Sequence, residues 1–245
     1  MKIALIGYGK MGKAIERVAR ERGHEVVLIV DENNRRAVTD EALRQAEVAI
    51  EFSVPGAAAG NYEWCFRNGI PVVSGTTGWS EREEEVARLR EKHDGGFFYA
   101  SNFSLGVNLF FHLNRWLARL MAGAGGYDVS IEEIHHAHKL DAPGGTAITL
   151  ARDVIANDPR YTSWKLRGDS PLSGDELPVT ALREGEVTGI HRVKHASTLD
   201  EIQISHTAYS RDGFALGAVI AAEFMSGKRG TYGMSDLITI GNEKI

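Results

Sequence analysis

The fold turns on the stretch Lys2-Ile3-Ala4-Leu5-Ile6-Gly7-Tyr8-Gly9-Lys10-Met11-Gly12. Lys2 to Ile6 is a short apolar run of the kind that forms a buried strand, and it leads directly into G-x-G-x-x-G. Residues 13–22 then carry Ala14, Ile15, Val18 and Ala19 on one helical face, and Gly23 suits the position just past a helix end. Glu25 to Val30 is a second apolar strand, ending in Asp31, nineteen positions after Gly12. Strand, glycine turn, helix, strand and acidic residue in that order predict a dinucleotide-binding βαβ unit. Gly7 would make the tight turn, Gly9 would admit a pyrophosphate, and Gly12 would let helix and strand pack closely. Asp31 would accept hydrogen bonds from the adenosine ribose.

The alternation continues outward from this unit. Residues 33–40 are polar and read as loop. Residues 48–52 predict a third strand, 57–68 a helix, and 71–74 a fourth strand leading into Gly75-Thr76-Thr77-Gly78. Ser80-Glu81-Arg82-Glu83 has the pattern of a capping box opening a charged helix over 80–93. A fifth strand, 97–100, opens into Ser101-Asn102-Phe103-Ser104. Cys65 falls within a helix and reads as a small core residue. Three loops thus follow strand C-termini, the edge at which a doubly wound sheet binds its ligands.

Beyond residue 104 the pattern changes. Residues 105–121 predict a long helix with Leu109, Phe110, Leu113, Trp116, Leu117 and Leu120 for burial. Then comes Glu132-Glu133-Ile134-His135-His136-Ala137-His138-Lys139-Leu140-Asp141-Ala142-Pro143-Gly144-Gly145-Thr146. Val129-Ser130-Ile131 before it alternates, so a strand ends near His135. Pro143 suits the first turn of a helix, where Gly144, Gly145 and Thr146 would offer free backbone N–H groups. Imidazoles, an ammonium and a helix N-terminus in so short a span favour a carboxylate or phosphate ligand and supply general acids. Residues 158–176 read as a polar loop; 178–183, 187–195 and 201–208 read as strands. Asp212 to Met225 predicts an apolar helix, and 232–237 a return to the first domain.

The fold class is therefore α/β: a Rossmann-like doubly wound parallel sheet with a second α+β domain on a mixed or antiparallel sheet. The domains divide as 1–104, completed by 212–245, and 105–211. The open sheet of the second domain predicts a homo-oligomer.

Composition limits the function. The chain has 245 residues, 43% hydrophobic and 25% charged, enough for one large domain or two modest ones. A net charge of -5 argues against a general nucleic-acid binder. One cysteine excludes an intrachain disulfide and a cysteine-rich zinc site and points to a reducing compartment. No apolar run is long enough to span a membrane, and the strand-like opening does not read as a signal peptide, so the expected location is the cytoplasm.

Taken whole, the sequence resembles the 4-hydroxy-tetrahydrodipicolinate reductase (dihydrodipicolinate reductase) family over essentially its full length. The most specific element is Glu133-Ile134-His135-His136-x-x-Lys139-x-Asp141-Ala142-Pro143-x-Gly145-Thr146. Ser101-Asn102-Phe103-Ser104-x-Gly106-Val107-Asn108, Arg183-x-Gly185, Gly189-x-His191 and Ser205-His206-x-Ala208 also match. Gly144 stands where the family commonly has serine, and His138 is an additional imidazole. The resemblance implies reduction of 4-hydroxy-tetrahydrodipicolinate to tetrahydrodipicolinate, with loss of water, in lysine and diaminopimelate biosynthesis. It implies His135 as proton donor or acceptor, Lys139 as a second proton donor, and His136, Gly145 and Thr146 as contacts to substrate carboxylates. For the cofactor it implies Gly7, Tyr8, Gly9, Lys10, Met11, Asp31, Gly75, Thr76, Thr77, Ala100, Ser101, Asn102 and Phe103. A homotetramer and no metal are implied too. Asp31 and Glu32 predict a modest preference for NADH over NADPH, softened by Arg35, Arg36, Lys10 or Lys13.

Three other readings compete. Another NAD(P)-dependent reductase of a small carboxylated substrate would share the glycine turn but not the 135–146 segment. A metal-dependent hydrolase would use Glu132, Glu133, His135, His136 and His138, but adjacent strand residues point to opposite faces. A nucleotide-binding regulatory protein would need no acid–base site.

Overall fold

Ile3, Ala4, Leu5 and Ile6 are all buried, as a strand covered on both faces requires. The computed structural model describes residues 1–168, 171–240 and 243–244. The chain runs β1 (Lys2–Ile6), α1 (Lys10–Glu21), β2 (Glu25–Val30), α2 (Asp40–Leu43), β3 (Val48–Glu51), α3 (Pro55–Arg67), β4 (Val72–Ser74), α4 (Glu83–Lys92) and β5 (Gly96–Tyr99). It continues through α5 (Leu105–Ala124), β6 (Asp128–His135), α6 (Gly145–Asn157), β7 (Ser163–Leu166), β8 (Glu176–Arg183), β9 (Gly189–Ala196) and β10 (Glu201–Ala208). It ends with α7 (Asp212–Met225), β11 (Gly230–Tyr232) and α8 (Met234–Leu237), followed by two-residue strands. Two units result: Met1–Leu105 with Arg211–Ile245, and Gly106–Ser210.

In the first unit six strands pair in the order β11-β5-β4-β3-β1-β2, and every pairing is parallel. Alternate residues of β1 feed two cores. Ile3 and Leu5 pack with Ile15 and Val18 of α1 and with Ala215, Ala218 and Ala222 of α7. Ala4 and Ile6 pack with Tyr62, Cys65 and Phe66 of α3. β2 and β3 flank β1 on opposite sides, so the strand order reverses there, and the crevice at such a switch point is the usual ligand site. Gly7 follows β1 with φ +93°, and a Cβ on it would lie 2.1 Å from the Phe52 carbonyl oxygen. A Cβ on Gly12 would lie 2.3 Å from the Gly7 carbonyl oxygen. Both glycines are thus demanded by space, as the fingerprint predicts.

Some local readings need correction. α1 begins at Lys10, inside the glycine turn, so Lys10 and Met11 belong to its first turn. Ser80 caps nothing: it starts a 3₁₀ turn, Ser80–Arg82, and α4 follows without a side-chain cap. The Arg82 guanidinium instead binds the Glu85 carboxylate through two bonds of 2.7 Å.

In the second unit five strands pair in the order β10-β9-β6-β8-β7. β10, β9 and β6 run antiparallel, while β6, β8 and β7 are parallel, a mixed sheet. β7 lies within the stretch read as polar loop; four residues carry too little pattern to announce a strand, and its pairing with β8 creates it. α5 buries Phe110, Asn114, Leu117, Ala118 and Met121. Leu109, Leu113, Trp116 and Leu120, expected to be buried with them, are exposed by 41, 41, 53 and 50%. A helix can turn only one stripe inward, and these four form another. Among the described residues no helix is long and apolar enough to cross a membrane.

Candidate active site

At the carboxyl edge of the first sheet, a cleft of about 460 Å³ opens between the loops after β1, β2 and β3. Gly7, Tyr8, Gly9 and Asp31 line it, together with Glu32, Arg35, Phe52, Ser53 and Val54. Asp31 is oriented by its own turn, its Oδ1 accepting from the backbone N–H groups of Asn33 (2.8 Å) and Asn34 (3.1 Å). The Arg35 guanidinium lies 3.8 Å from the centre of the Trp64 ring, a cation–π stack. A Cβ on Gly9 would meet nothing within 4 Å, so the backbone there is open to approach. α1 starts at Gly9–Lys10 with no side-chain cap, leaving first-turn N–H groups for an anion. These features fit a dinucleotide.

The remaining cofactor residues named from the sequence share this edge but do not line the cleft. Gly75, Thr76 and Thr77 follow β4; Ala100, Ser101, Asn102 and Phe103 follow β5. Thr76 is buried, its Oγ1 accepting from the Ser53 N–H at 2.8 Å. Beneath it the fully buried Glu51 carboxylate accepts from the hydroxyls of Ser74 (2.8 Å) and Ser53 and from the Asn61 amide. The Phe103 side chain packs against Phe52 and Phe98, so its ring is spent on the core.

In the second unit, the alternation of β6 sends Val129, Ile131, Glu133 and His135 to one face. Val129 and Ile131 enter the core with Leu150 and Val154 of α6; Glu133 and His135 follow at the strand's end. Register adds two residues that periodicity did not single out. His191 of β9 pairs across from Glu133, and Arg183 of β8 pairs across from His135. Glu133 has no exposed surface. Its carboxylate accepts from the Gly144 N–H at 3.0 Å through each oxygen, and its Oε1 accepts from Arg183 Nη2 at 3.2 Å. Its Oε2 stands 3.6 Å from His135 Nδ1 and 3.8 Å from His191 Nε2.

Arg183 also donates to the backbone carbonyls of Lys139 (3.3 Å) and Asp141, fastening the loop over the carboxylate. Lys139 Nζ donates to both oxygens of Asp141 at 2.7 Å. α6 starts at Gly145 with Gly144 as its N-cap, so Pro143 lies ahead of the first turn rather than in it. The Gly144 N–H, expected to be free, is taken by Glu133; helix geometry leaves those of Gly145 and Thr146 without intrahelical acceptors. His136 is half-buried, with its Nδ1 lacking a partner. His138 is exposed and reaches Glu186 at 3.6 Å.

The electrostatics follow from these contacts. Burial holds the His135 imidazolium below its usual range, while the Glu133 charge pulls the other way and Lys139 and Arg183 add to the lowering. Burial takes His191 down to about 3, so it is neutral at physiological pH. The Lys139 hydrogen bond holds the Asp141 carboxyl below its usual range. Glu133, His135 and His191 offer ligand atoms within 4.8 Å of one another, a spacing a metal ion could use. The Arg183 guanidinium, however, already supplies the positive charge at that carboxylate. Of the five groups of the hydrolase reading only Glu133 and His135 share this cluster.

Fold and site together define a two-unit protein with a dinucleotide-type cleft in one unit and a buried carboxylate–imidazole cluster in the other. Comparison with known proteins narrows this. The family model described as "Dihydrodipicolinate reductase, N-terminus" matches residues 1–103, and that described as "Dihydrodipicolinate reductase, C-terminus" matches residues 106–238. The chain belongs to the dihydrodipicolinate reductase family. It is 47% identical over 239 residues to the 4-hydroxy-tetrahydrodipicolinate reductase of Christiangramia forsetii, covering 98% of each chain. It is 40% identical over 201 residues to the enzyme of that name from Methanopyrus kandleri, covering 80% of this chain and 72% of that one. In fold it is similar to a dipicolinate-bound dihydrodipicolinate reductase from Paenisporosarcina sp. TG-14, with TM-score 0.79, 21% identity, and 97 and 99% of the two chains covered.

Proposed function

We infer that the protein reduces 4-hydroxy-tetrahydrodipicolinate to tetrahydrodipicolinate, with loss of water, in lysine and diaminopimelate biosynthesis. What carries this reading is the near full-length identity to a reductase of that name. The cluster on β6, β8 and β9 supports it, because a dianionic ring needs cations and N–H donors.

Gly7, Tyr8, Gly9, Asp31 and the first turn of α1 would hold the dinucleotide, with the loops at Gly75–Thr77 and Ala100–Phe103 completing the site. When bound, the reduced nicotinamide supplies the hydride. The protein supplies position and protons. His135 gives a proton to the ring system as its charge changes, and Lys139, released from Asp141, is the second donor. His136 and the N–H groups of Gly145 and Thr146 receive the carboxylates. NADH is the preferred cofactor: Asp31 and Glu32 both border the cleft and repel a 2′-phosphate. The stack of Arg35 on Trp64 limits how far its charge can offset them.

The protein is a cytoplasmic homo-oligomer, a tetramer by family resemblance. The exposed stripe on α5 and the edge strand β10, with Ile202 exposed, support association. A coupled assay that follows oxidation of NADH and of NADPH with freshly generated substrate tests the whole reading. Turnover that a chelator does not affect is expected; no oxidation with either nucleotide would reject it.

A further inference from the structure

A carboxylate with no exposed surface is costly unless every oxygen is engaged, so the presence of Glu133 on the core face of β6 calls for a reason. Arg183 and the Gly144 N–H account for part of its capacity. The rest is turned towards two imidazoles. His135 Nδ1 and both nitrogens of His191 are buried and have no hydrogen-bond partner. At 3.6 and 3.8 Å the gaps from Oε2 are too long for formed hydrogen bonds, yet one small ring movement closes either of them. Catalytic contacts are commonly loose in this way until charge develops. On its other side, the His135 Nε2 stands next to Gly189, where a Cβ would come within 3.1 Å of it. Glycine keeps that space clear.

We propose that Glu133 is the positioning residue for His135: its carboxylate holds the Nδ1–H and so makes Nε2 the atom that carries the transferred proton. This rests on the reading above, in which His135 is the proton donor, and deepens it. His191 is the third member. Being neutral, it does not compete for the proton, and its Nε2, 3.8 Å from Oε2 on the neighbouring strand, would steady that oxygen once the ring moves to close the gap. The imidazolium releases its Nε2 proton to the substrate and remains as the neutral Nδ1–H tautomer bonded to Glu133; solvent then returns the proton to Nε2. The charged and titratable groups facing His135 are Glu133, His191, Arg183, Lys139 and Asp141. Glu133 and Asp141 favour its protonated form, and Glu133 is the stronger of the two.

Long-range nitrogen–proton NMR of the full chain with labelled histidine, assigned through His135→Gln, reads the tautomer directly and needs no substrate. Neutral His135 in the wild type is expected as the Nδ1–H form; the Nε2–H form would overturn the proposal without any variant. Glu133→Gln keeps the side-chain size and an acceptor for Gly144 while removing the charge. It should lower the His135 midpoint by about 1–3 pH units, the range for an opposite charge at this separation. The high-pH limb of kcat, along which the proton donor loses its proton, should move down with it, and turnover at neutral pH should fall by roughly 10–100-fold. His191→Phe should shift both in the same direction by less. An unchanged His135 titration in Glu133→Gln, whatever happens to turnover, would reduce Glu133 to a structural role. Absence of wild-type turnover would instead reject the proposed reaction and leave the tautomer result standing.

Discussion

Lys139 and Asp141 are locked together, with the ammonium donating to both carboxylate oxygens at 2.7 Å. The proposed second proton donor is therefore held by a neighbour two positions away until a dianion competes for it. Lys139→Met and His135→Gln should each lower turnover by roughly 10²–10⁴-fold, the usual contribution of a positioned acid. Nucleotide affinity should stay unchanged in both, since neither residue lies in the unit that carries the glycine turn. Steady-state kinetics beside a nucleotide titration checks this; wild-type turnover in both variants would remove the assignment.

The cofactor preference follows from the turn at Asp31. Its Oδ1 is occupied by the N–H groups of Asn33 and Asn34, which leaves Oδ2 for a ribose hydroxyl. Asp31→Ser should shift preference towards NADPH by removing one of two repelling charges. The ratio of kcat/KM for the two nucleotides measures it. A wild-type enzyme far more efficient with NADPH would contradict the proposal.

Stability should fall on mild acidification. His191 has an ordinary value of 6.5 and is held at about 3 in the folded chain. Between those values the unfolded chain binds a proton that the folded chain does not, so stability is fully present above 6.5 and drains away as pH falls towards 3. Burial lowers His195 and His206 as well, which adds to the slope in the same direction. Chemical denaturation at pH 7.5 and 5 should show a lower midpoint at pH 5, and His191→Phe should flatten the difference. A midpoint independent of pH would contradict this.

Gly7→Ala tests the glycine turn itself. The left-handed backbone costs a residue with a side chain roughly 1–2 kcal/mol. The new Cβ would also meet the Phe52 carbonyl at 2.1 Å. A clear fall in melting temperature and loss of nucleotide binding are expected by calorimetry. A variant that binds and melts like the wild type would mean that the turn relaxes freely.

Local pattern made the first sheet and most of the His135–Thr146 segment legible, because β1, β4 and their glycine turns announce themselves within a few residues. The carboxylate cluster was only half legible. Glu133 and His135 share a face by alternation, but Arg183 stands fifty residues from Glu133 in sequence and meets it only through strand register. Motif matches marked Arg183 and His191 without saying where they point. β7 and the exposed side of α5 were lost for the opposite reason: a four-residue strand and a second apolar stripe are both settled by neighbours, not by sequence period.

The discontinuity of the first unit bears on how the chain is made. β11 completes the parallel sheet against β5, and α7 supplies Ala215, Ala218, Val219, Ala222 and Met225 to one of its two cores. During synthesis, then, the strands up to β5 leave the ribosome long before the helix that covers them. That half-clad sheet has to be tolerated, by the chain or by chaperones, while the whole of Gly106–Ser210 is translated. A chain halted before Arg211 should bind hydrophobic dyes and precipitate, whereas one that stayed soluble and native-like would mean α7 is dispensable cladding.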